Sequence, residues 1–333
     1  MEFKIYKLHF TTPLHLGDAR DDYSISLRSI SSDTMYAALT SCMAKLGKEN
    51  DIKNGDLNCS ISSLFPFYQK SKNSTPILFF PKPLMQKQPQ LKDLTKAKMV
   101  KKVSWIDKKY FEKIINGEDL FSSESDIDNI NDDYLTTCYG DDFDSNFIFS
   151  QVSPRVSVSR NGEEDAKPFY MERIFFKDYS GLYFIVHGDT SIIENALDLL
   201  QTEGIGTDRN VGNGFFEYEK DYIELTVPEN QSYCMSLSSY IPESKEQLEA
   251  MLNGENVAYN IVRIGGWITT PPYNSIRKNV IYAFTAGSIF FKKVEDIAIY
   301  GKIVDLKPEL PFEKQIEHPV WRYGKSIFIP VKL

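Results

Sequence analysis

Residues 204–216 read GIGTDRNVGNGFF. Four glycines, Gly204, Gly206, Gly212 and Gly214, fall within eleven residues and flank the pair Arg209–Asn210. A backbone without Cβ atoms can bring its N–H groups against a phosphate chain. Arg209 would then pair with a phosphate and Asn210 with a base edge. The spacing excludes two nucleotide-binding fingerprints. GxGxxG would need a third glycine where Arg209 stands, and it follows a strand and opens a helix, whereas this loop follows a helical pattern and precedes a strand pattern. GxxxxGK[ST] does not fit either. Two readings of the residues stand side by side: a phosphate cradle, and an elaborate helix-to-strand turn.

Other residues raise weaker possibilities. VSPRVSVSR (152–160) places Arg155 and Arg160 beside Ser157 and Ser159 on an alternating strand. Its polar side suits phosphates and ribose hydroxyls, or simply water. SSDT (31–34) opens a helix, where free N–H groups favour an anion, but Asp33 opposes one and helix capping accounts for these residues. Arg28 is a phosphate partner near that helix start. His9 and His15 raise general acid–base cleavage of RNA through its 2′-hydroxyl, against structural or ligand-contacting roles. YGKS (323–326) imitates a P-loop, yet the first P-loop glycine would fall at Pro319 and an apolar strand follows. GGWITTPPYNSIRKN (265–279) carries Arg277 and Lys278 on a loop and offers further backbone contacts. Four cysteines and four histidines show no metal-ligand or disulfide spacing, so no metal or cofactor is expected.

The elements that must position these residues follow from periodicity. EFKIYKLHFT (2–11) alternates as a strand. Residues 31–47 open on Ser-Ser-Asp, place Met35, Leu39, Met43 and Leu46 at helical spacing and close on Gly47. Strands are predicted over 75–83, 152–160, 169–177 and 181–188, then a helix over 191–204, then the glycine loop and the strand FFEYEK. The order strand, helix, strand, strand, helix, strand is the βαββαβ ferredoxin-like plan. A second, degenerate copy follows: a strand over 232–240, a helix over 242–254, and strands over 257–269, 279–291 and 325–333. Residues 85–150 read as a polar insertion with one or two surface helices and a mobile acidic part. The fold class is therefore α+β, two tandem ferredoxin-like folds with an inserted polar region. The domains are 1–222, with the insertion at about 85–150, and 223–333.

Charge bounds the partners. The chain has 333 residues and a formal charge of −8. Residues 118–146 hold ten Asp or Glu and no Lys or Arg, and without those ten the charge rises to +2. Residues 87–113 hold nine Lys and three acids, so the two blocks can compensate each other and leave the remaining surface free for basic patches. The start carries no apolar signal region, and no apolar run is long enough to span a bilayer. A cytoplasmic protein with no membrane partner is expected.

PLHLGD (13–18), SSDTMYAAL (31–39), RVSVSR (155–160), GLYFIV (181–186), GIGTDRNVGNGFF and HPVWRYGKSIFIPV (318–331) occur in the order found in the RAMP superfamily of CRISPR proteins, which the chain resembles. More closely, it resembles the fourth subunits of type III-A Csm effector complexes, with the equivalent type III-B subunit as the near competitor. The resemblance covers nearly the whole chain except the insertion. It implies two RRM-like folds and a non-catalytic, RNA-binding role in antiviral defence. It implies binding to the 5′ handle of the crRNA, and docking to the large signature subunit and the first backbone RAMP subunit. By motif position it puts Gly204, Gly206, Arg209, Asn210, Gly212, Asn213 and Gly214 on the handle surface. It also puts Arg155 and Arg160 on the basic strand, and His15 and Gly17 on the first loop. Ser159 stands where that family often has Asp. The alternative of another class is a metal-independent endoribonuclease that processes precursor crRNA.

Overall fold

The computed structural model of the chain describes residues 1–17, 22–84, 94–118, 120, 124–138, 140–158, 165–295, 297–311 and 315–333. Arg160 and Ser159 lie outside the described residues, as do 85–93 of the expected insertion.

Strand β1 (Glu2–Phe10) has two apolar faces, which fits its place inside the main sheet between two other strands. Tyr6 and Leu8 enter one core; Phe3 and Ile5 enter another on the opposite side. Helix α1 (Ser32–Lys45) starts where Ser31 Oγ accepts from Thr34 N at 3.2 Å, and it buries Met35, Leu39 and Met43 as their spacing predicts. Strands β2 (Cys59–Ile61), β3 (Phe65–Tyr68) and β4 (Ile77–Pro81) follow.

The segment expected as a polar insertion is instead part of the body. It forms α2 (Leu94–Lys102), β5 (Trp105–Asp107), α3 (Lys108–Ile115), α4 (Glu124–Asp128), β6 (Ile130–Asn131) and β7 (Tyr134–Leu135). Strand β5 adds to β4 antiparallel and β7 adds to β5 in parallel, so the segment widens the main sheet. Its composition hid an apolar helix face: Tyr110, Phe111, Ile114 and Ile115 are all buried, and Phe111 stacks on Phe80 at 4.2 Å. At about 1.5–3 kcal/mol per buried side chain, this face contributes substantially to the core. Lys102 does pair with Asp132 across the basic and acidic blocks, whereas Asp142 and Asp144 pair with Lys70 and Lys177 outside them.

Strands β8 (Ile148–Ser157) and β9 (Lys167–Phe176) form a separate two-stranded ribbon, and β10 (Gly181–Gly188), α5 (Ser191–Glu203) and β11 (Phe216–Glu224) complete the first half. The main sheet runs β11-β1-β10-β3-β4-β5-β7-β6, with β2 also on β10. Helices α1 and α5 share the core on one face. Strand β11 ends at Glu224, two residues beyond the expected boundary at 222.

The remainder contains β12 (Gln231–Ser236), α6 (Lys245–Leu252), β13 (Ile261–Ile264), β14 (Ile281–Phe284), β15 (Ile289–Val294), β16 (Ala298–Tyr300), β17 (Val304–Asp305), β18 (Trp321–Arg322) and β19 (Ser326–Val331). Its sheet runs β15-β12-β19-β16. The single strand expected over 279–291 is split into β14 and β15, because Gly287 adopts φ +91° and its N–H turns to Ser236 O at 2.8 Å. The strand expected over 257–269 shrinks to β13. Met235, Leu237, Ile327, Ile329 and Val331 pack in the same core as Phe3, Ile5, Tyr183 and Phe111, so the second sheet covers the open face of the first. The architecture is mixed α+β with several sheets. Among the described residues, no helix is long and apolar enough to cross a membrane.

Candidate nucleic-acid interface

Helix α5 ends at Gly204 (φ 76°), whose N–H returns to Leu200 O at 2.8 Å. The chain then folds onto the exit of β1. Thr207 N donates to His15 O at 2.8 Å, Gly214 N to Pro13 O at 2.8 Å and Thr11 N to Phe215 O at 2.9 Å, and Ile205 N closes the loop on Gly214 O at 2.9 Å. Phe215 N donates to Thr12 Oγ1 at 2.8 Å. These bonds leave no space for side chains at two glycines. A Cβ on Gly206 would sit 2.4 Å from His15 O, and one on Gly214 would sit 1.9 Å from Ile205 O. A Cβ on Gly212 would meet nothing within 4 Å, although its φ is +92°.

The glycines therefore serve two purposes. Gly204, Gly206 and Gly214 let protein backbone approach protein backbone. The open part of the loop is the short 3-10 turn Arg209–Val211, set between Asp208 (φ 59°) and Gly212. The first amides of such a turn have no acceptor within it. Asn210 is exposed, and half-buried Arg209 reaches back to Gly204 O with a long 3.5 Å contact. The backbone cradle expected along the whole loop narrows to this rim, because most of the amides around it are already bonded within the protein.

Two buried polar atoms border the same junction. His15 is 1% exposed and stacks on Tyr23 at 5.7 Å. Its Nδ1 lies 2.7 Å from Glu172 O, so Nδ1 carries a hydrogen towards that carbonyl. The ring's Nε2 has no partner. Asn213 is 2% exposed, and its Nδ2 has no partner either. Leaving such groups unmatched costs about 1–3 kcal/mol each. Both atoms are enclosed by protein, so they border the rim without opening onto it. Nothing in the sequence marked Tyr23 or Glu172, which orient the imidazole across the ribbon.

The other sequence-derived residues lie apart from this junction or are only partly gathered. Gly17 is exposed at the end of the first loop. Arg155 is half-buried on β8 opposite Phe169, on the ribbon whose Glu172 and Ile174 bond the His15 segment. Arg28 is exposed, and its charge acts on Asp133 and Tyr134 of the extended sheet rather than on the glycine loop. The start of α1 is closed by protein: Ser32 Oγ accepts from Ser239 N at 2.8 Å and Asp33 accepts from Tyr323 N at 2.9 Å. Capping accounts for it, and Arg28 has no anion site there to complete. Arg277 lies 4.9 Å over the Trp267 ring, far along the second half of the chain. His9 packs edge-on to Phe67 at 5.1 Å, and burial lowers its pKa. Lys325 of YGKS pairs with Asp56 at 2.7 Å, and β19 follows at once.

Fold and junction define a class: an α+β chain with several sheets, in which a glycine loop between α5 and β11 is bonded to the exit of β1 in the same sheet. The proteins to which the chain is similar are CRISPR subunits. Residues 229–331 match the family model of the CRISPR Csm4 C-terminal domain. The whole chain is similar to the CRISPR system Cms protein Csm4 of Streptococcus thermophilus, 25% identical with all of both chains covered. It is 23% identical to Csm4 of Methanocaldococcus jannaschii, over 99% of this chain and 97% of that one. Among solved structures it is similar to a chain of a Csm1-Csm4 cassette in complex with cA4, with TM-score 0.59, 19% identity and coverage of 100% and 99%. A chain of a Csm3-Csm4 subcomplex in the type III-A CRISPR-Cas interference complex gives TM-score 0.58, 20% identity and full coverage of both. The likeness to these structures is one of fold, and the chain resembles Csm4 from end to end.

Proposed function

We propose that this protein is the Csm4-type subunit of a type III-A effector complex in the cytoplasm. It is a non-catalytic, RNA-binding subunit that holds the 5′ handle of the crRNA and docks the large signature subunit (Csm1) and the first backbone RAMP subunit (Csm3). The observation that carries the RNA reading is the junction of the glycine loop with Pro13–His15. It presents an open Arg209–Gly212 rim, held in place by the backbone bonds to His15 and Pro13. The named subunits come from the relatives, whose solved complexes pair Csm4 with Csm1 and with Csm3.

We read the first half as a ferredoxin-like fold. Taking β1, β3, β10 and β11 as its four strands, the order β11-β1-β10-β3 is 4-1-3-2, with α1 and α5 on one face. The second half keeps β19-β12-β15 as 4-1-3, and Ala258 bridges Ile289 where a second strand would lie. That supports a degenerate ferredoxin-like copy after Glu224. The handle surface is assigned to His15, Gly17, Arg155, Arg160, Arg209, Asn210, Gly212 and Asn213, with Gly204, Gly206 and Gly214 shaping it. An endoribonuclease would need His15 accessible to a 2′-hydroxyl, and its ring is buried.

The test is assembly of the complex with an Arg209→Ala/Arg155→Ala subunit. We expect crRNA to be lost from the purified complex, and binding that falls steeply with salt. Full crRNA retention would reject the assigned surface. Incubation of the isolated chain with precursor crRNA in EDTA checks the non-catalytic role, and specific cleavage abolished by His15→Ala would reject it.

A further inference from the structure

Residues 256–294 contain Arg263, Arg277, Lys278, Lys292 and Lys293 and no Asp or Glu, in a chain whose formal charge is −8. Residues 261–284 of this run fold into a ribbon outside the two large sheets, whereas Lys292 and Lys293 lie on β15 of the second sheet and Lys278 is buried. Strands β13 and β14 pair antiparallel, with Arg263 directly opposite Tyr282 and Ile261 opposite Phe284. Directly opposed residues share a face. Tyr282 is 63% exposed, Arg263 is exposed, and Val280 lies on the same face two residues from Tyr282. Farther along, Trp267 bridges Arg277, and the Arg277 guanidinium lies over the indole.

The ribbon is fixed at both ends. At its base Phe284 and Tyr240 exchange two backbone hydrogen bonds of 2.9 Å, and Tyr259 packs edge-on to Phe284 at 5.1 Å. Near its tip Ile268 and Ile276 pack with Ile316 and Val320 in a small core of their own. Arg263 makes no ion pair among the described residues. An exposed aromatic opposite an unpaired arginine, on a rigid ribbon without acids, combines a stacking surface with cations, which is the chemistry that holds single-stranded nucleic acid.

We propose that the β13–β14 ribbon is a second contact for single-stranded RNA, with Tyr282 stacking on a base and Arg263 and Arg277 pairing with phosphates. Arg263 and Arg277, with no acid on either strand, favour a polyanion on this face, beside the exposed Ile261 and Val280. The inference rests on the reading of this chain as RNA-binding, but uses none of the residues of the glycine loop.

The test measures binding of a fluorescein-labelled, mixed-sequence 20-nucleotide RNA to the full chain by anisotropy. Tyr282→Ala is expected to weaken binding about tenfold, Tyr282→Phe to leave it nearly unchanged, and Arg263→Ala to weaken it and flatten its salt dependence. Tyr282 is exposed, so an unchanged melting temperature checks that each variant folds. RNA carrying 4-thiouridine should crosslink within residues 257–284. Tyr282→Ala and Arg263→Ala both within twofold of the parent would overturn the proposal. So would unchanged RNA affinity accompanied by loss of a neighbouring subunit, which would assign the ribbon to protein docking. Arg209→Ala in the same assay separates the two sites. Loss there alone removes the ribbon and keeps the loop, and loss with Tyr282→Ala alone removes the loop and keeps the ribbon.

Discussion

Gly206 lies so close to His15 that a Cβ would come within 2.4 Å of the His15 carbonyl oxygen, while the next residue, Thr207, donates its N–H to that same oxygen at 2.8 Å. The loop and the exit of β1 are thus one unit, and the position of the buried imidazole depends on the absence of a side chain 191 residues later in the chain.

Gly206→Ala and Gly212→Ala should consequently differ. Both glycines have positive φ, but only Gly206 faces backbone that cannot yield. Gly212→Ala should cost about 1–2 kcal/mol from backbone conformation alone. Gly206→Ala should cost more, at least about 3 kcal/mol, and should also impair crRNA retention. Urea unfolding of the two variants measures the difference, and equal costs would contradict the close approach.

Asn213→Ala separates folding from binding. Its Nδ2 is buried without a partner, so removing it should leave the free chain within about 1 kcal/mol of the parent or slightly more stable. The proposed assignment of Asn213 to the handle surface predicts that the same change weakens handle binding. Thermal melts of the free chain and crRNA retention by the complex should move in different directions.

Glu194 sits on α5 and receives Lys220 Nζ at 2.7 Å, Lys4 Nζ at 2.9 Å and the Tyr6 hydroxyl at 2.8 Å. These contacts, the Lys220 hydrogen bond first, hold its carboxyl down at about 2. A depressed carboxyl stabilises the fold above its unfolded pKa near 4.5, and that stability is lost as pH falls towards 2. Its side chain is 27% exposed, so solvent screening reduces the effect. Glu194→Gln should cost about 1–2 kcal/mol at pH 7. The gap to the parent should close progressively below pH 4.5, as followed by denaturant unfolding across that range.

Phe111→Ala tests whether the lysine-rich segment belongs to the core. Phe111 is fully buried and stacked on Phe80. Its truncation should destabilise the whole chain by about 3–5 kcal/mol. A separable surface insertion would instead leave the global melting temperature almost unchanged.

The sequence carried the first fold well because its signals there are local. The extent of β1, the cap and spacing of α1 and the apolar stripe of α5 each survive in the structure within a few residues, although β1 is buried on both faces rather than one. It failed over 94–135, where Phe111 and its neighbours occupy a short helix face surrounded by lysines, and average composition outweighed periodicity. It also merged β14 and β15, since Gly287 breaks an otherwise continuous apolar run and only the Ser236 carbonyl makes that turn favourable.

By itself, the sequence determined which residue types could meet RNA: four glycines, Arg209 and Asn210 in one loop, and Arg277 and Lys278 in another. Only the tertiary structure decided how those glycines are used. Gly206 faces the backbone of His15 from the other end of the first half, Gly204 and Gly214 face Asn213 and Ile205 where the loop closes on itself, and Gly212 faces open space. Spacing along a chain records conformational freedom, but what occupies the vacant Cβ position is set by segments that meet only after folding.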